Sequence, residues 1–391
     1  MFLLLALLAL AFLVFIHELG HFLVAKFFGV HVLEFAVGFG PVVFGKTVGE
    51  TFYSIRGIPL GGFVRMAGDT PEEVEVLEKG DSATALQKEE SEKEGEDEAY
   101  TIKPNAGGIL PTEDKNRWFL AQPYWPKFWI VFAGPFFNFA SAFLMAAGLV
   151  FFLGKAELLE SAHIGAVFPD MPAFEAGLKE HDLVTAIDGI EVSSWKQLSE
   201  TIKSSKGKAL LFDVMREDGA VQLEITPTEE KNELDQIMGD AQESFYKIGI
   251  MPDSKKIPVE GISEAVSIGF GQVYFISELT VKGIWGMVAG KVSSKNVAGP
   301  IFIFQQGSEA AKSGLDRLID FMVFLSVSLG LLNLLPIPIL DGGHLVFFTI
   351  EALKGSPVSE AVQQRAMQFG MIALCLLMLL GIGNDITRLF G

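Results

Sequence analysis

Residues 1–25 read MFLLLALLALAFLVFIHELGHFLVA, with no charged side chain before the His-Glu pair at positions 17 and 18. A helix needs about 20 predominantly apolar residues to span a bilayer. A cleaved signal peptide is the alternative, but the stretch has no basic start, is long, and lacks a small-residue cleavage site at its end. The sequence therefore predicts a transmembrane helix as the first element.

The composition separates two kinds of segment. The chain of 391 residues is 50% hydrophobic and yet carries a formal charge of −18. Apolar membrane segments joined to acidic aqueous segments explain both numbers better than one soluble domain does. The acidic balance argues against a nucleic-acid partner, since phosphate binding needs a basic face. With Cys375 as the single cysteine, a metal site would have to use His, Asp or Glu.

Three further apolar stretches predict additional spans, and they cover about 128–153, 318–335 and 366–383. Trp125 and Trp129 stand at the start of the first of these, where aromatic anchors are common. The expected fold class is a polytopic α-helical membrane protein with about four transmembrane helices. It carries a membrane-associated β-hairpin or sheet and an inserted α+β domain.

The segments between the spans differ in character. Short β-prone runs broken by Gly and Pro predict a small sheet within 30–66. Residues 70–116 hold 14 acidic and 5 basic residues, which predicts a solvated, flexible loop. The apolar spacing of Val281, Ile284, Trp285 and Val288 predicts an amphipathic helix that lies on a membrane or on the protein. The predicted divisions are 1–69 for the first span and β-rich segment, 70–126 for the acidic loop, 127–155 for the second span, 160–255 for the inserted domain, 256–312 for the amphipathic helix and linker, and 313–391 for the last two spans.

His17, Glu18 and His21 form the pattern His-Glu-x-x-His within the first apolar stretch. Positions i and i+4 of a helix share a face, so both imidazoles can reach one Zn²⁺. Glu18 beside them can take a proton from water and pass it to a leaving amine. Paired polar side chains that only pack between helices are the alternative. Ionisable groups in an apolar span are costly and usually functional, which favours the metal site.

A catalytic zinc usually has three protein ligands, so one ligand must come from elsewhere. The stretch NLLPIPILDGGH at 333–344 follows the third apolar segment. Pro336 and Pro338 would break a helix there, and the irregular backbone would let Asp341 turn inward. Asp341 is the preferred third ligand, and His344 is the competing candidate.

Together these motifs resemble the site-2 protease family of intramembrane metalloproteases, and within it the bacterial RseP/RasP branch. Further matching stretches are VGFGPVVFG (37–45), IPLGGFVRMAGD (58–69), AGPFFN (133–138) and NVAGPIF (296–302). The resemblance implies Zn²⁺ as cofactor on His17, His21 and Asp341, with Glu18 as the catalytic acid and base. It implies single-pass membrane proteins as substrates, such as anti-sigma factors or remnant signal peptides.

The resemblance also implies where a substrate binds. The residues concerned are Asn138, Asn333 and Pro336, together with Val37, Gly38 and Phe39 in a re-entrant hairpin. A strand edge can capture an unwound segment by β-addition. A structural plug that only packs against the spans is an equally good interpretation of this hairpin from sequence.

Residues 163–195 resemble the PDZ domains of bacterial proteases, and the likeness extends to about residue 252. His181 stands at a turn where many such domains have Gly. PDZ grooves commonly bind C-terminal peptides by strand addition. No basic signature for a carboxylate is evident here. A peptide-binding domain and a size filter that excludes bulky substrates therefore remain alternatives.

Lys and Arg residues near the span ends number six on one face and four on the other, which weakly favours the first face as cytoplasmic. With the resemblance, this predicts a multi-pass protein of the bacterial inner membrane with the PDZ-like domain outside the cytoplasm. The active site would lie within the bilayer toward the cytoplasmic side. A non-catalytic membrane scaffold and a metal transporter are the rival functions. Glu18 argues against both, because binding a metal does not need it.

Overall fold

The structure is a computed structural model, and it describes residues 1–79, 105–169, 171–216, 218–230 and 245–390. The chain divides into two compact units. The larger unit comprises Met1–Ala146, Gly269–Thr280 and Ser294–Gly391, and the smaller comprises Ala147–Ile268 and Val281–Ser293.

The larger unit begins with helix α1 (Phe2–Phe27), which confirms the first predicted helix. One face is buried, and it carries Leu13, His17 and His21 at the spacing of helical turns. The opposite face leaves Leu4 and Leu8 exposed. A continuous exposed apolar face of this kind is typical of a helix in contact with lipid.

A long antiparallel hairpin follows, and it confirms the predicted β-rich segment. Strands β1 (Val32–Val48) and β2 (Thr51–Met66) are antiparallel. Residues 34–37 of β1 pair on one side with 62–65 and on the other with 52–55, which pair in turn with 44–47. Gly49 has φ +62° in the connecting turn, a conformation that glycine adopts without steric penalty. The base of the hairpin is buried, whereas apolar side chains such as Val43 and Phe44 are exposed toward its tip.

Two ion pairs hold the turn between β1 and β2 in place. Glu50 accepts hydrogen bonds from Lys26 at 2.6 Å and from Arg117 at 2.7 Å. Partial burial raises the pKa of Glu50, but these two cations outweigh it and lower the pKa to about 2. The carboxylate therefore stays ionised at neutral pH and ties the turn to Lys26 at the end of α1 and to Arg117, seven residues before Tyr124.

The prediction of a solvated, flexible loop after the β-rich segment fails at both ends of that loop, where the chain is helical or buried. Helix α2 (Pro71–Lys79) opens with Thr70, whose Oγ1 accepts a hydrogen bond from the backbone N–H of Glu73 at 3.2 Å. A capping Thr followed by Pro is a helix-start signal that the acidic composition obscured. At the other end, Asn105 and Trp118 are buried side chains. The middle of the predicted loop, 80–104, lies outside the described residues.

Helix α3 (Tyr124–Leu153) covers the second predicted span. It approaches α1 very closely. A Cβ on Gly20 would collide with the backbone carbonyl oxygen of Ala133, and a Cβ on Gly134 would collide with the imidazole of His21. Two glycines thus set the separation of α1 and α3.

The smaller unit is an α+β fold. Its elements are β3 (Lys155–Leu158), β4 (Ile164–Val167), α4 (Pro172–Glu175), β5 (Leu183–Ile187), β6 (Ile190–Glu191), α5 (Trp195–Ser204), β7 (Leu210–Arg216), β8 (Gly219–Ile225), β9 (Thr228–Glu230), β10 (Phe245–Lys247), β11 (Ile250–Pro252) and β12 (Ser254–Ile257). A four-stranded sheet runs in the order β6-β5-β7-β8. Leu198 and Ile202 of α5 pack with Phe212 and Val214 in its core. Because β3 pairs with β12, the unit extends slightly beyond the predicted limits of 160–255.

His181 lies in the turn before β5. His181 has φ +66°, a left-handed conformation that favours glycine. The next residue, Asp182, is buried and accepts two hydrogen bonds from Arg216 at 2.8 Å each. A charge-assisted pair of this geometry holds the turn in place.

The remaining helices are α6 (Ile262–Val288), α7 (Pro300–Ser313), α8 (Leu315–Asn333), α9 (Asp341–Lys354) and α10 (Glu360–Phe390). The predicted amphipathic segment corresponds to α6, where Val281, Trp285 and Val288 are all exposed. Within the larger unit, Ala142 of α3, Ile276 of α6 and Val323 of α8 belong to one apolar cluster.

Three helices in the described part of the chain are long and apolar enough to cross a membrane, namely α1, α3 and α10. The prediction of about four spans is thus borne out in part. The third predicted span, 318–335, corresponds to α8, a helix of 19 residues that ends at Asn333. Its first two turns carry Asp316, Arg317 and Asp320, so its uncharged part is short.

The contact between α1 and α3 gives a first prediction. Gly20→Ala should destabilise the protein by about 1–3 kcal/mol, because the added methyl group forces two backbones apart. Gly148→Ala is the matched control in α3, where a Cβ would meet no other atom within 4 Å. Thermal unfolding in detergent, followed by circular dichroism, measures both. Equal stability of Gly20→Ala and the wild type would refute the proposed close contact.

A second prediction concerns pH. Burial and the neighbouring carboxyl of Asp69 raise the pKa of Glu73 from 4.5 to about 7. Since the folded protein favours the protonated form, ionisation of Glu73 reduces stability as pH rises from about 4.5 to about 7. Glu73→Gln should therefore unfold at a higher temperature than the wild type at pH 8, and the difference should vanish near pH 4. The exposed Glu78→Gln is the control, and parallel behaviour of the two variants would contradict this reasoning.

Candidate active site

Three side chains from two distant parts of the chain meet in the larger unit. His17 Nε2 lies 3.2 Å from Asp341 Oδ2, and His21 Nε2 lies 3.6 Å from the same oxygen. The two Nε2 atoms are 3.2 Å apart. Tetrahedral Zn²⁺ with bonds of about 2.0–2.1 Å places its donor atoms about 3.3–3.4 Å from one another. The observed triangle of donors therefore has the dimensions of a zinc site.

The carboxylate supports the same conclusion. Asp341 Oδ2 is buried and has no hydrogen-bond partner among the described residues. A buried polar oxygen is normally paired, and one aimed at two imidazole nitrogens is suited to a cation. Two imidazoles and one carboxylate are a donor set used by catalytic zinc. The residues present thus fit the metal by distance, by chemistry and by the unpaired oxygen.

The chain reaches this position through a tight turn between α8 and α9. Asp341 is the first residue of α9. A Cβ on Gly342 would collide with the carbonyl oxygen of Leu334, and a Cβ on Gly343 with that of Ile337. The two glycines after the aspartate allow α9 to begin directly against the turn, which directs Asp341 at α1.

Each histidine is held by a further contact. His21 Nδ1 is 2.8 Å from the backbone carbonyl oxygen of Ile130, so the ring donates there and leaves Nε2 for the metal. His17 lies between two amides. The Nδ2 of Asn138 is 2.9 Å from His17 Nδ1, and the Nδ2 of Asn333 is 3.3 Å from His17 Nε2. Both asparagines that the sequence assigned to substrate binding therefore contact a predicted ligand.

Glu18 lines a cavity of about 1050 Å³ together with His17, His21 and Asp341. The walls of the cavity are formed by β2, α2, α9 and the start of α10. His344 also lines it, but the donor cluster in the described residues consists of His17, His21 and Asp341. Of the two candidates for a third ligand, Asp341 is therefore the one that the structure brings to both histidines.

The hairpin lies beside this cavity. Val37 pairs with Gly62, and a Cβ on Gly62 would be 2.9 Å from Cγ of Glu18. Gly38 has φ +91°, and a Cβ there would lie 2.6 Å from the carbonyl oxygen of Ile58. Phe39 is 47% exposed. Pro336 is exposed in the turn before α9, and none of the six predicted substrate residues lines the cavity itself.

Sequence reasoning missed a partly buried ion pair in the lining of the same cavity. Lys127 of α3 donates to Glu351 of α9 at 2.9 Å, and its ammonium lies 4.9 Å from the centre of the Phe348 ring. Lys127 is 3% exposed, so this charge is neutralised within the protein. The pair joins α9, which carries Asp341, to α3, which carries Ile130 and Asn138. Its partners are 224 residues apart, and no local motif signals them.

Comparison with known proteins gives one family. The model of peptidase family M50 matches residues 5–378. The chain is 32% identical over 419 aligned positions to the regulator of sigma-W protease RasP of Bacillus subtilis, which covers 97% of this chain and 96% of that protein. It is 33% identical over 385 positions to a putative zinc metalloprotease of Rhizobium meliloti, with 98% and 95% covered.

A third relative, the zinc metalloprotease RasP of Geobacillus kaustophilus, is 32% identical over 418 positions, with 97% of this chain and 96% of the relative covered. The matches extend over nearly the whole chain, including both segments that form the donor cluster. The chain therefore belongs to peptidase family M50, the site-2 protease family of zinc metalloproteases.

Proposed function

We propose that the protein hydrolyses peptide bonds within transmembrane segments of membrane proteins, with His17, His21 and Asp341 as zinc ligands and Glu18 as the general acid and base. The observation that carries this proposal is the triangle of donors, with separations of 3.2, 3.2 and 3.6 Å. Bound Zn²⁺ supplies a Lewis acid that polarises the peptide carbonyl and makes water acidic, with a pKa of about 7.

The side chains account for the proton transfers. The carboxylate of Glu18 lies next to the donor cluster, and the cavity gives it access to water. In its ionised form it removes a proton from the attacking water, and it then delivers that proton to the leaving amine nitrogen. Ile130 keeps the His21 ring oriented through the hydrogen bond to its Nδ1.

We further propose that the hairpin holds the substrate. The peptide bonds of a helix are closed off by internal hydrogen bonds, so a helical substrate must unwind before cleavage. In the described part of the chain β1 and β2 pair only with each other. Residues 62–65 of β2 pair on one side only, which leaves a strand edge for β-addition close to Glu18. Val37, which pairs on both sides with Gly62 and Ile55, lies on the neighbouring strand β1 together with Gly38 and Phe39. Asn333, near the ligands, is suited to hold the substrate backbone, and Pro336 shapes the turn that carries it.

The relatives support a substrate class. The Bacillus subtilis protein is named regulator of sigma-W protease RasP. By analogy, we propose single-pass membrane proteins as substrates, such as anti-sigma factors or remnant signal peptides. We also propose a bacterial inner-membrane protein in which α8 is a fourth, shorter span. The smaller unit would then be a PDZ-like domain outside the cytoplasm, and the cavity would open toward the cytoplasmic side.

A scaffold or a metal transporter would account for fewer features of the site than a protease does. A scaffold needs no donor triangle, and a transporter needs no carboxylate placed to exchange a proton with water. Three donors with zinc dimensions and Glu18 in the same cavity favour hydrolysis over both. Zinc flux in proteoliposomes remains the direct test of transport.

Glu18→Gln should retain Zn²⁺ and lose cleavage of a model transmembrane substrate by at least about 100-fold, because the amide cannot take up the proton. Zinc content by elemental analysis and cleavage in detergent micelles measure the two properties separately. Glu72→Gln, on the rim of the same cavity, is the matched control and should cleave normally. Normal cleavage by Glu18→Gln would eliminate the proposed mechanism.

A second pair of variants tests which residue is the third zinc ligand. Asp341→Ala should lose both bound Zn²⁺ and cleavage, whereas His344→Ala should keep its zinc, since it contributes no donor atom to the triangle. Zinc stoichiometry of the purified variants gives the answer directly. Retention of zinc by Asp341→Ala and its loss from His344→Ala would reverse the assignment.

A further inference from the structure

Asn138 occupies a position that a substrate-binding role does not explain. Its side chain is fully buried in the larger unit, at 0% exposure, and its Nδ2 lies 2.9 Å from His17 Nδ1. Its backbone carbonyl oxygen accepts hydrogen bonds from Ser326 at 2.9 Å and from Ser141 at 3.0 Å. The backbone at Asn138 is therefore fixed against α8, and the side chain faces the imidazole of His17.

The protonation pattern of His17 determines what Asn138 must do. His17 Nε2 is the nitrogen that faces Asp341 and His21, at 3.2 Å from each partner atom. An imidazole nitrogen that ligates a metal carries no proton, so the neutral ring holds its proton on Nδ1. That N–H is a donor and needs an acceptor. An amide nitrogen cannot accept it, whereas an amide oxygen can.

Among the described residues, no hydrogen bond to Oδ1 of Asn138 holds its carboxamide in one orientation. Asn138 Oδ1 is buried and has no hydrogen-bond partner among the described residues. The orientation of the amide is therefore set by His17 alone, and a 180° rotation about the last side-chain bond brings Oδ1 to the ring. Asn333 cannot substitute, because its amide lies at Nε2, on the ligating side.

We infer that Asn138 is a positioning residue for the metal centre: its Oδ1 accepts a hydrogen bond from Nδ1–H of His17 and thereby presents Nε2 to the zinc. This inference rests on the proposed zinc site. His17 and His21 then have equivalent supports from α3. A backbone carbonyl orients one ring and a side-chain carbonyl orients the other, and the two residues that supply them, Ile130 and Asn138, are two turns apart. Contacts of this kind typically change metal affinity by about 10–100-fold.

Two substitutions at Asn138 separate an accepting role from a donating one. A carboxylate can only accept, so Asn138→Asp should keep zinc affinity within a few-fold of the wild type. Leucine has a similar size and no polar atom, so Asn138→Leu should weaken zinc binding by about 10–100-fold. Zinc affinity is measured on the full-length protein in detergent, by competition with a chelator of known affinity.

Ser141→Ala is the matched control, because the Ser141 hydroxyl hydrogen-bonds, among the described residues, to the backbone oxygen of Asn138 and the hydroxyl of Ser326 and not to the Asn138 side chain. It should bind zinc as the wild type does. Circular dichroism and gel filtration check the fold of each variant, and Asn138→Ala replaces the leucine variant if that one is not monodisperse.

Two results would overturn the inference. If Asn138→Leu binds zinc like the wild type and only its KM for substrate rises, Asn138 is a substrate-binding residue. If Asn138→Asp loses zinc as Asn138→Leu does, the residue donates rather than accepts. A wild-type protein that binds no zinc would instead refute the metal site itself, so the two failures are distinguishable.

Discussion

The contact of one carboxylate with two imidazoles governs the arrangement of the larger unit. A buried carboxylate oxygen without a hydrogen-bond partner is destabilising unless a cation lies beside it. Oδ2 of Asp341 is such an oxygen, and it lies 3.2 Å from His17 Nε2. The donors come from α1 and from α9, so the site exists only when these two helices are packed together. Metal binding and the folding of this unit are therefore expected to be coupled.

The surrounding structure meets this requirement with close backbone contacts and one ion pair. Gly20 and Gly134 let α1 and α3 approach, and Gly342 lets α9 begin against its preceding turn. Lys127 and Glu351, which also line the cavity, connect α3 and α9. Each contact restrains a ligand-bearing helix, and together they leave a cavity through which water reaches Glu18.

Several features were predictable because their signals are local. Helical periodicity places His17 and His21 on one face, and the prolines before Asp341 indicate a break that turns it inward. Helix α2 was missed because the charge of 70–116 outweighed its capping Thr70. The third predicted span corresponds to α8, whose first two turns carry three charged residues, so it is not among the helices apolar enough to cross a membrane. The contact of Asn138 with His17 and the Lys127–Glu351 pair join residues more than 100 positions apart, so they follow from tertiary packing and not from local pattern.

The central claim is that one zinc ion joins α1 to α9 through His17, His21 and Asp341. Anomalous diffraction at the zinc absorption edge, on crystals of the purified protein, tests it most directly. The account predicts one peak about 2.0–2.2 Å from Nε2 of both histidines and from a carboxylate oxygen of Asp341. A zinc peak bound by His344 in place of Asp341, or a folded protein with no peak between these helices, would contradict it.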